Sequence, residues 1–513
     1  MRLRRYILAG FSGFLIVLAF PGINMSAVAW FALVPLLVSI HDADWKHSLW
    51  LGFVAGMIYL GGTLNWFMVL GPFSSYFWVI LGLLALILYL STYVFIFTVS
   101  VNFVTRYWIR INNRASSIQH LAYIFTVAVV WTGLEILRGY VATGFPWAGL
   151  SHTQWSNLPL IQISSITGMY GVTFLITLIN GTIANFIINI HRWRSALKAA
   201  IVPFALLIMV LIYGWVALSG SPGEEKIEVA LVPGNIRQIE KLMSWGGADW
   251  IFDKYVSITD RVAAEKPHLI VWPETSVPRF MFRWDSVPKD LETLVRKWNA
   301  YFLIGTPHGE AYPERRSYNA AFLLSPEGKI VDRYYKVHLV PVGEYFPMKR
   351  YLPKSWQKAV TGVSDWDAGN SFTVFSAPPA RFGIAICFES IFPGIFREFA
   401  NQGVNAIGII TNDAWFEGTY APEQHYSMAP FRAVENRMGI FRCANHGVSC
   451  IIDPWGRVIQ KMEPGDPVDY LVGDVYLRSG GSFYTQYGDY LPWACLAMTL
   501  LLSFHVWWRA RVT

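Results

Sequence analysis

Charge is scarce in this sequence: Asp, Glu, Lys and Arg supply 15% of its 513 residues, against 54% hydrophobic and 16% aromatic residues. With a mean hydropathy of +0.36, that balance excludes an ordinary soluble protein, and part of the chain must lie in lipid. Cysteine is equally sparse. Cys387, Cys443, Cys450 and Cys495 are too few to staple a chain of this length, and Cys495 falls inside an apolar run. Cys443 and Cys450 flank a turn at Asn445-His446-Gly447 and are expected as buried free thiols, with a disulfide between them as the alternative. There is no Cys-x-x-Cys and no His-Glu-x-x-His, and His425 and His446 have no compact ligand spacing, so neither a metal nor an organic cofactor is expected. No Lys/Arg tract interleaved with aromatics is present, which argues against a nucleic-acid partner.

Long apolar runs are what the chain does have. They fall at Tyr6 to Phe20, Met25 to Ile40, Leu49 to Leu70, Tyr76 to Val104, Ile118 to Leu137, Leu160 to Ile188, Leu197 to Leu218 and Leu491 to Trp508. Most reach the roughly 20 residues that a spanning helix needs. Residues 1–218 are therefore expected to form a membrane domain of seven apolar helices, and 490–508 a C-terminal transmembrane helix, about eight segments together. The first two runs are short and meet at Pro21-Gly22, which suits a tight helical hairpin or a re-entrant pair. No small-x-small cleavage pattern follows the first run, so the basic N-terminus reads as a retained anchor. Gly52-x-x-x-Gly56 is expected to pack helices within the chain.

Basic residues collect in alternate loops: Arg2, Arg4 and Arg5; Lys46; Arg106, Arg110 and Arg114; Arg192, Arg194 and Lys198; Arg509 and Arg511. The positive-inside rule assigns these to the cytoplasm and makes 222–488 extracytoplasmic. The net charge of +7 is largely this bias.

At Ser219 to Lys226, Gly and Pro break the helix and charge appears abruptly, marking a domain boundary. Short β-rich runs follow at Ile227 to Val232, His268 to Trp272, Tyr301 to Gly305, Ala320 to Leu324, Phe382 to Cys387, Ala406 to Thr411 and Val448 to Ile452. Helical periods occur at Ser257 to Glu265, Asp290 to Ala300, Ile395 to Asn401 and Glu423 to Arg437, so one α/β domain is expected. Two aromatic-basic inserts, Pro278 to Trp284 and Tyr345 to Trp356, suit a lipid interface, the alternative being rings packed on the domain.

Three reactive side chains stand at or just past expected strand ends: Glu274, Lys336 and Cys387. A thiol is mostly protonated at neutral pH and becomes a good nucleophile only beside a base or a cation. Glu274 can take its proton, while Lys336 with a backbone N–H such as that of Phe388 can hold the charge that develops on a carbonyl oxygen. The product of attack on an ester is a thioester on Cys387.

The order Glu274, Lys336, Cys387, with Glu344 in Lys336-Val-His-Leu-Val-Pro-Val-Gly-Glu344, resembles the nitrilase superfamily, which implies an αββα sandwich. Joined to the apolar runs and carrying Thr411-Asn-Asp-Ala-Trp415-Phe416, Pro422-Glu-Gln-His425, Arg432-Ala-Val-Glu435, Trp131-Thr-Gly-Leu-Glu135-Ile-Leu-Arg138 and Thr143-Gly-Phe-Pro-Trp147, the chain is similar to the apolipoprotein N-acyltransferase family over nearly its whole length. That resemblance implies a ping-pong acyltransferase of the bacterial inner membrane with its catalytic domain on the periplasmic side. Its donor would be a phospholipid, usually phosphatidylethanolamine, and its acceptor the α-amino group of a diacylglyceryl-cysteine lipoprotein. Glu274 would then be the base, Lys336 the oxyanion stabiliser and Cys387 the nucleophile. Glu344, Glu389 and Phe388 would support them. Trp415, Phe416, Tyr345, Phe346, Phe280, Trp284, Trp147, Glu135 and Arg138 are the candidate lipid contacts. The sequence departs from the family at Phe388, where tyrosine is common, at Glu417, at Pro233-Gly-Asn-Ile236, and at Leu242 after Lys241, where tryptophan is typical and Trp245 is the candidate substitute. Two other readings stay open: a membrane-tethered amidase in which water resolves the thioester, and a non-catalytic binding module.

Overall fold

The computed structural model describes residues 2–111, 117–244, 249–282, 286–309, 316–346 and 365–512. The protein folds as two compact units. One holds the chain up to Gly220, Thr419–Ser427 and the chain from Tyr487 onward; the other holds Ser221–Gly418 and Met428–Gln486.

In the first unit, five helices are long and apolar enough to cross a bilayer: Tyr76–Arg106, Ser117–Thr143, Tyr170–Ile188, Ile190–Leu218 and Tyr490–Arg509. The pair Trp45–Thr63 and Asn65–Phe73, bent by 51°, makes up to six among the described residues. The first two apolar runs form the 18-residue helix Arg2–Ala19 and the shorter Ser26–Ile40 stretch. Arg2, Arg4 and Arg5 occupy the opening turn of the former and leave it little apolar length.

Backbone freed by broken helices in lipid must be satisfied from within. Asn180 does this for the Ser26–Ile40 stretch, donating to Ala29 O at 2.8 Å and accepting from Leu33 N at 2.8 Å. At the bend after Thr63, the freed carbonyl accepts from Gln424 Nε2 at 3.2 Å, and Gln424 Oε1 accepts from the indoles of Trp66 (3.2 Å) and Trp147 (2.9 Å). Gly52 lets two helices close up, because a methyl group there would run into Phe95 Cα and the Thr98 hydroxyl.

The second unit contains twelve strands among its described residues: β1 (Lys226–Leu231), β2 (Leu269–Trp272), β3 (Tyr301–Gly309), β4 (Ser317–Leu324), β5 (Ile330–Tyr335), β6 (Phe375–Ala377), β7 (Ala380–Ile386), β8 (Ala406–Asn412), β9 (Gly439–Asn445), β10 (Ser449–Ile452), β11 (Val458–Met462) and β12 (Leu471–Tyr476). They form two six-stranded sheets, ordered β12-β1-β2-β3-β4-β5 and β11-β10-β9-β8-β7-β6. β1, β2 and β3 run parallel, as do β7, β8 and β9, and the remaining pairs are antiparallel. β2 and β8 are buried along their whole length because both sheet faces are covered. On the outer face of the first sheet, Ile270, Trp272, Phe302 and Phe322 pack against Tyr255 and Ile258 of helix Asp249–Val262 and against Leu291 and Val295 of helix Lys289–Trp298. Cys443 of β9 bonds to Val271 O of β2 at 3.4 Å, so the inner faces meet and the order is helix, sheet, sheet, helix.

One local expectation is corrected. The helical period from Glu423 to Arg437 is two helices, Ala421–Tyr426 and Ala429–Asn436, each opened by a proline in its first turn. The first of them lies in the first unit and the second in the second unit. None of the four cysteines forms a disulfide, as expected for Cys443 and Cys450. Cys450 pairs with Arg442 across β10 and β9, so Cys443, one residue on, faces the opposite side.

Candidate active site

β2, β5 and β7 each end at one edge of the sandwich, and the side chains just beyond them converge. Lys336 Nζ lies 3.8 Å from Glu274 Oε1 and 2.8 Å from Glu344 Oε1. Lys336 is wholly buried, which alone would lower its pKa, but Glu344, the Cys387 thiol and Glu274 outweigh that and raise it, so it stays a cation. Glu344 is delivered by the turn after β5, where Val340 N donates to its Oε2 at 2.8 Å and its own N–H donates to Val340 O at 2.8 Å.

Asn319, in β4, ties the two carboxylates together: its Nδ2 donates to Glu274 Oε1 at 2.7 Å and to Glu344 Oε1 at 3.0 Å. Its carbonyl accepts from Lys336 N at 2.9 Å. Glu274 Oε2 accepts from Asn412 N, at the end of β8, at 2.8 Å. Asn319→Leu removes two bonds to charged groups, each worth about 1.5–3 kcal/mol. Single-turnover acylation of Cys387 is expected to slow about 10- to 100-fold; an unchanged rate would remove Asn319 from the site.

Cys387 opens a tight turn, Cys387–Ile391, with φ of +55°. Only glycine adopts that region freely, so Cys387 carries backbone strain of about 1–3 kcal/mol that its surroundings must hold. Burial and the Glu274 charge push its pKa up, while Lys336 pulls the other way. The resting group is therefore a thiol, beside a carboxylate able to accept its proton.

Glu389 fixes Cys387 relative to Lys336. Its Oε2 accepts from Ile386 N at 2.7 Å; its Oε1 accepts from Val337 N (2.7 Å), His338 N (3.0 Å) and Tyr334 OH (2.9 Å). Burial pushes its carboxyl up to about 7. Because this exceeds the ordinary 4.5 of a free glutamate side chain, the folded state binds the proton more tightly. The stabilisation is complete below the unfolded value and is lost as pH rises through about 7. The melting-temperature gap between Glu389→Gln and the parent protein is therefore expected to move in the variant's favour across that window and then level off. An equal gap at about pH 5 and about pH 8 would exclude this.

Phe388 is buried against Phe392, with ring centroids 5.3 Å apart, and Phe392 packs on His338 at 3.9 Å. Burial and Lys336 depress His338 to about 4, leaving it neutral at physiological pH. Trp415 and Phe416 lie half-buried in the turn directly after Asn412; Tyr345 and Phe346 follow Glu344, and Phe280 follows the Glu274 turn. Trp284 and Trp245 lie outside the described residues. In the membrane unit, Trp147 bonds Gln424, and Glu135 accepts from Trp131 Nε1 (2.9 Å) and Thr173 Oγ1 (3.0 Å). Glu135 and Arg138 are both buried there. Asn319, Asn412 and Thr411, the last hydrogen-bonded to Cys387, are site residues that sequence reasoning did not assign. Asn319 had left a signal, as a lone amide within an apolar strand.

Residues 12–182 match the family described as apolipoprotein N-acyltransferase N-terminal domain, and residues 229–482 match carbon-nitrogen hydrolase. An apolipoprotein N-acyltransferase of Geobacter metallireducens is 37% identical over 96% of this chain and 94% of its own length. The chain belongs to the apolipoprotein N-acyltransferase family. Another member, from Chlorobaculum tepidum, is 28% identical over 96% of this chain and 94% of its own length. Saccharomyces cerevisiae Nit3, of the nitrilase superfamily, aligns with 50% of this chain and 92% of its own at 18% identity and a TM-score of 0.39. The family assignment and the apolar helices together make this a bacterial membrane protein.

Proposed function

We propose that this chain transfers a fatty acyl group from a membrane phospholipid, through a thioester on Cys387, to the N-terminal α-amino group of a diacylglyceryl-cysteine lipoprotein. The observation that carries this reading is the meeting of Glu274, Lys336 and the strained Cys387 at one edge of the sandwich, in a chain 37% identical to a protein named apolipoprotein N-acyltransferase.

In the first half-reaction, Glu274 takes the thiol proton, sulfur bonds to the ester carbon, and Lys336 meets the charge on the carbonyl oxygen. The carbon–oxygen bond then breaks, and the proton returns from Glu274 to the departing lysophospholipid oxygen. In the second half, the amine attacks the thioester, Glu274 takes a proton from nitrogen, and as the carbon–sulfur bond breaks Glu274 returns that proton to sulfur, restoring the Cys387 thiol. Glu344 holds Lys336 in place, and Glu389 holds the nucleophile turn. Phosphatidylethanolamine is the proposed donor, with Phe280, Tyr345, Phe346, Trp415 and Phe416 as lipid contacts. The inner membrane, with residues 222–488 on the periplasmic side, is the proposed location, supported by the alternation of Lys/Arg loops.

The test is intact-mass analysis of the purified protein with phospholipid alone, then with a synthetic diacylglyceryl lipopeptide. A hydroxylamine-sensitive, acyl-sized adduct that passes to the peptide amine is expected. Release of free fatty acid with no peptide product would favour hydrolysis instead.

A further inference from the structure

Lys241 is a buried ammonium for which the reaction above has no use. It lies in helix Gln238–Met243 and is 2% exposed, and its Nζ donates to Thr275 O at 2.9 Å. Among the described residues, that backbone carbonyl is the one hydrogen-bond partner of its Nζ. An ammonium held this way is costly, and an apolar side chain of similar length would fill the space at less expense. Retained charge of this kind points to the site beside it.

That neighbour is the base. Thr275 follows Glu274 and has φ of +45°, a left-handed conformation unfavourable for a β-branched residue. The turn is clamped on its other side by Ser276, whose N–H and Oγ both donate to Gly305 O at 2.9 Å. Gly305 itself has no room for a side chain, because Pro273 O and Glu274 Cα pack on it. The Glu274 backbone is thus held between β3 and Lys241. The ionisable groups acting on Lys241 are Glu274, from the β2 exit, and the Cys443 thiol, from β9.

We infer that Lys241 is a positioning residue for the general base: its bond to the Thr275 carbonyl fixes Glu274 on Asn319 and Asn412, and its positive charge favours the anionic states through which Cys387 is activated. This rests on the reaction proposed above. Burial lowers Lys241 to about 7, against the pull of Glu274 and Cys443, so its charge fades as pH rises through neutrality.

The experiment follows Cys387 alkylation by iodoacetamide, read by intact mass, across about pH 6 to 9 in the full-length enzyme, its Lys241→Met and its Lys241→Arg. Cys387→Ala subtracts the other thiols. Thioester formation from phospholipid and melting temperature are measured alongside. Lys241→Met is expected to melt no lower than the parent, yet to alkylate and acylate about 10-fold more slowly below pH 7. That gap should narrow as pH rises through about 7, where the parent lysine loses its proton, whereas Lys241→Arg should keep its rate at high pH. A Lys241→Met rate equal to the parent's at every pH, or a deficit in both variants that ignores pH and tracks melting temperature, would overturn the inference. Should Lys241→Met not fold, the high-pH limb of Lys241→Arg decides. If Cys387→Ala still transfers acyl groups, the proposed reaction fails, while the alkylation comparison still reports on Lys241.

Discussion

Replacing Cys387 by alanine is expected to abolish the acyl adduct and to cut lipopeptide N-acylation by about 10⁴-fold or more, equivalent to about 5.5 kcal/mol of barrier. Among the described residues, no neighbouring group can stand in for the sulfur. Glu274 and Lys336 are both engaged by Asn319 or Glu344, and Cys443 faces the sheet interface with its thiol on Val271 O. The left-handed backbone at Cys387 adds a second, separable expectation. Cys387→Gly, which relaxes that conformation, should melt higher than Cys387→Ala while being equally inactive. Residual adduct in the alanine variant would move the nucleophile elsewhere. A glycine variant that melts lower than the alanine one would deny the strain.

Lys336→Met is expected to fail twice. Without the ammonium, Glu274 and Glu344 face each other across the single amide of Asn319 with no cation between them. Removing one partner from a buried ionic cluster typically costs about 3–5 kcal/mol. In the parent, the raised lysine pKa means that this stabilisation is fully present below the unfolded value of 10.5 and is lost only as pH rises through the folded one. It should therefore be flat across neutral pH. In the variant, melting temperature should instead recover on acidification, as neutralising a carboxylate relieves the repulsion. Thioester formation should also fall about 10³-fold for want of the oxyanion donor. A variant that melts like the parent, or that forms the adduct within about tenfold of its rate, would contradict this role.

The sequence announced the membrane helices and the central strands because lipid and a doubly covered sheet both demand unbroken apolar runs, as at Leu269–Trp272 and Ala406–Asn412. β5 and β11 escaped because each is exposed on both faces over part of its length and mixes charge into the run, as Asp332, Arg333 and Lys461 show. β9 escaped because Arg442 interrupts it, although that guanidinium is buried and paired with Asp413 at 2.7 Å. Glu274, Lys336 and Cys387 were legible as reactive types at strand ends. The bonds that orient them were not, since Asn319 is 45 residues from Glu274 and Asn412 is 138 away. Such partners become visible only when the sheets are assembled. Lys241 was concealed for a similar reason: its neighbours Ile239, Leu242 and Met243 are exposed, so nothing in the local pattern says that the lysine points inward.

Thr419–Ser427 departs from the catalytic fold after Gly418 and rejoins it at Met428, having lodged its glutamine among indoles of the helical bundle. A soluble fragment cut at the obvious boundaries would carry these nine residues away stripped of Trp66, Trp147 and the Thr63 carbonyl. Overexpression for crystallography or inhibitor screening should therefore keep the polypeptide whole, because no pair of scissions separates a self-sufficient enzyme from its anchor.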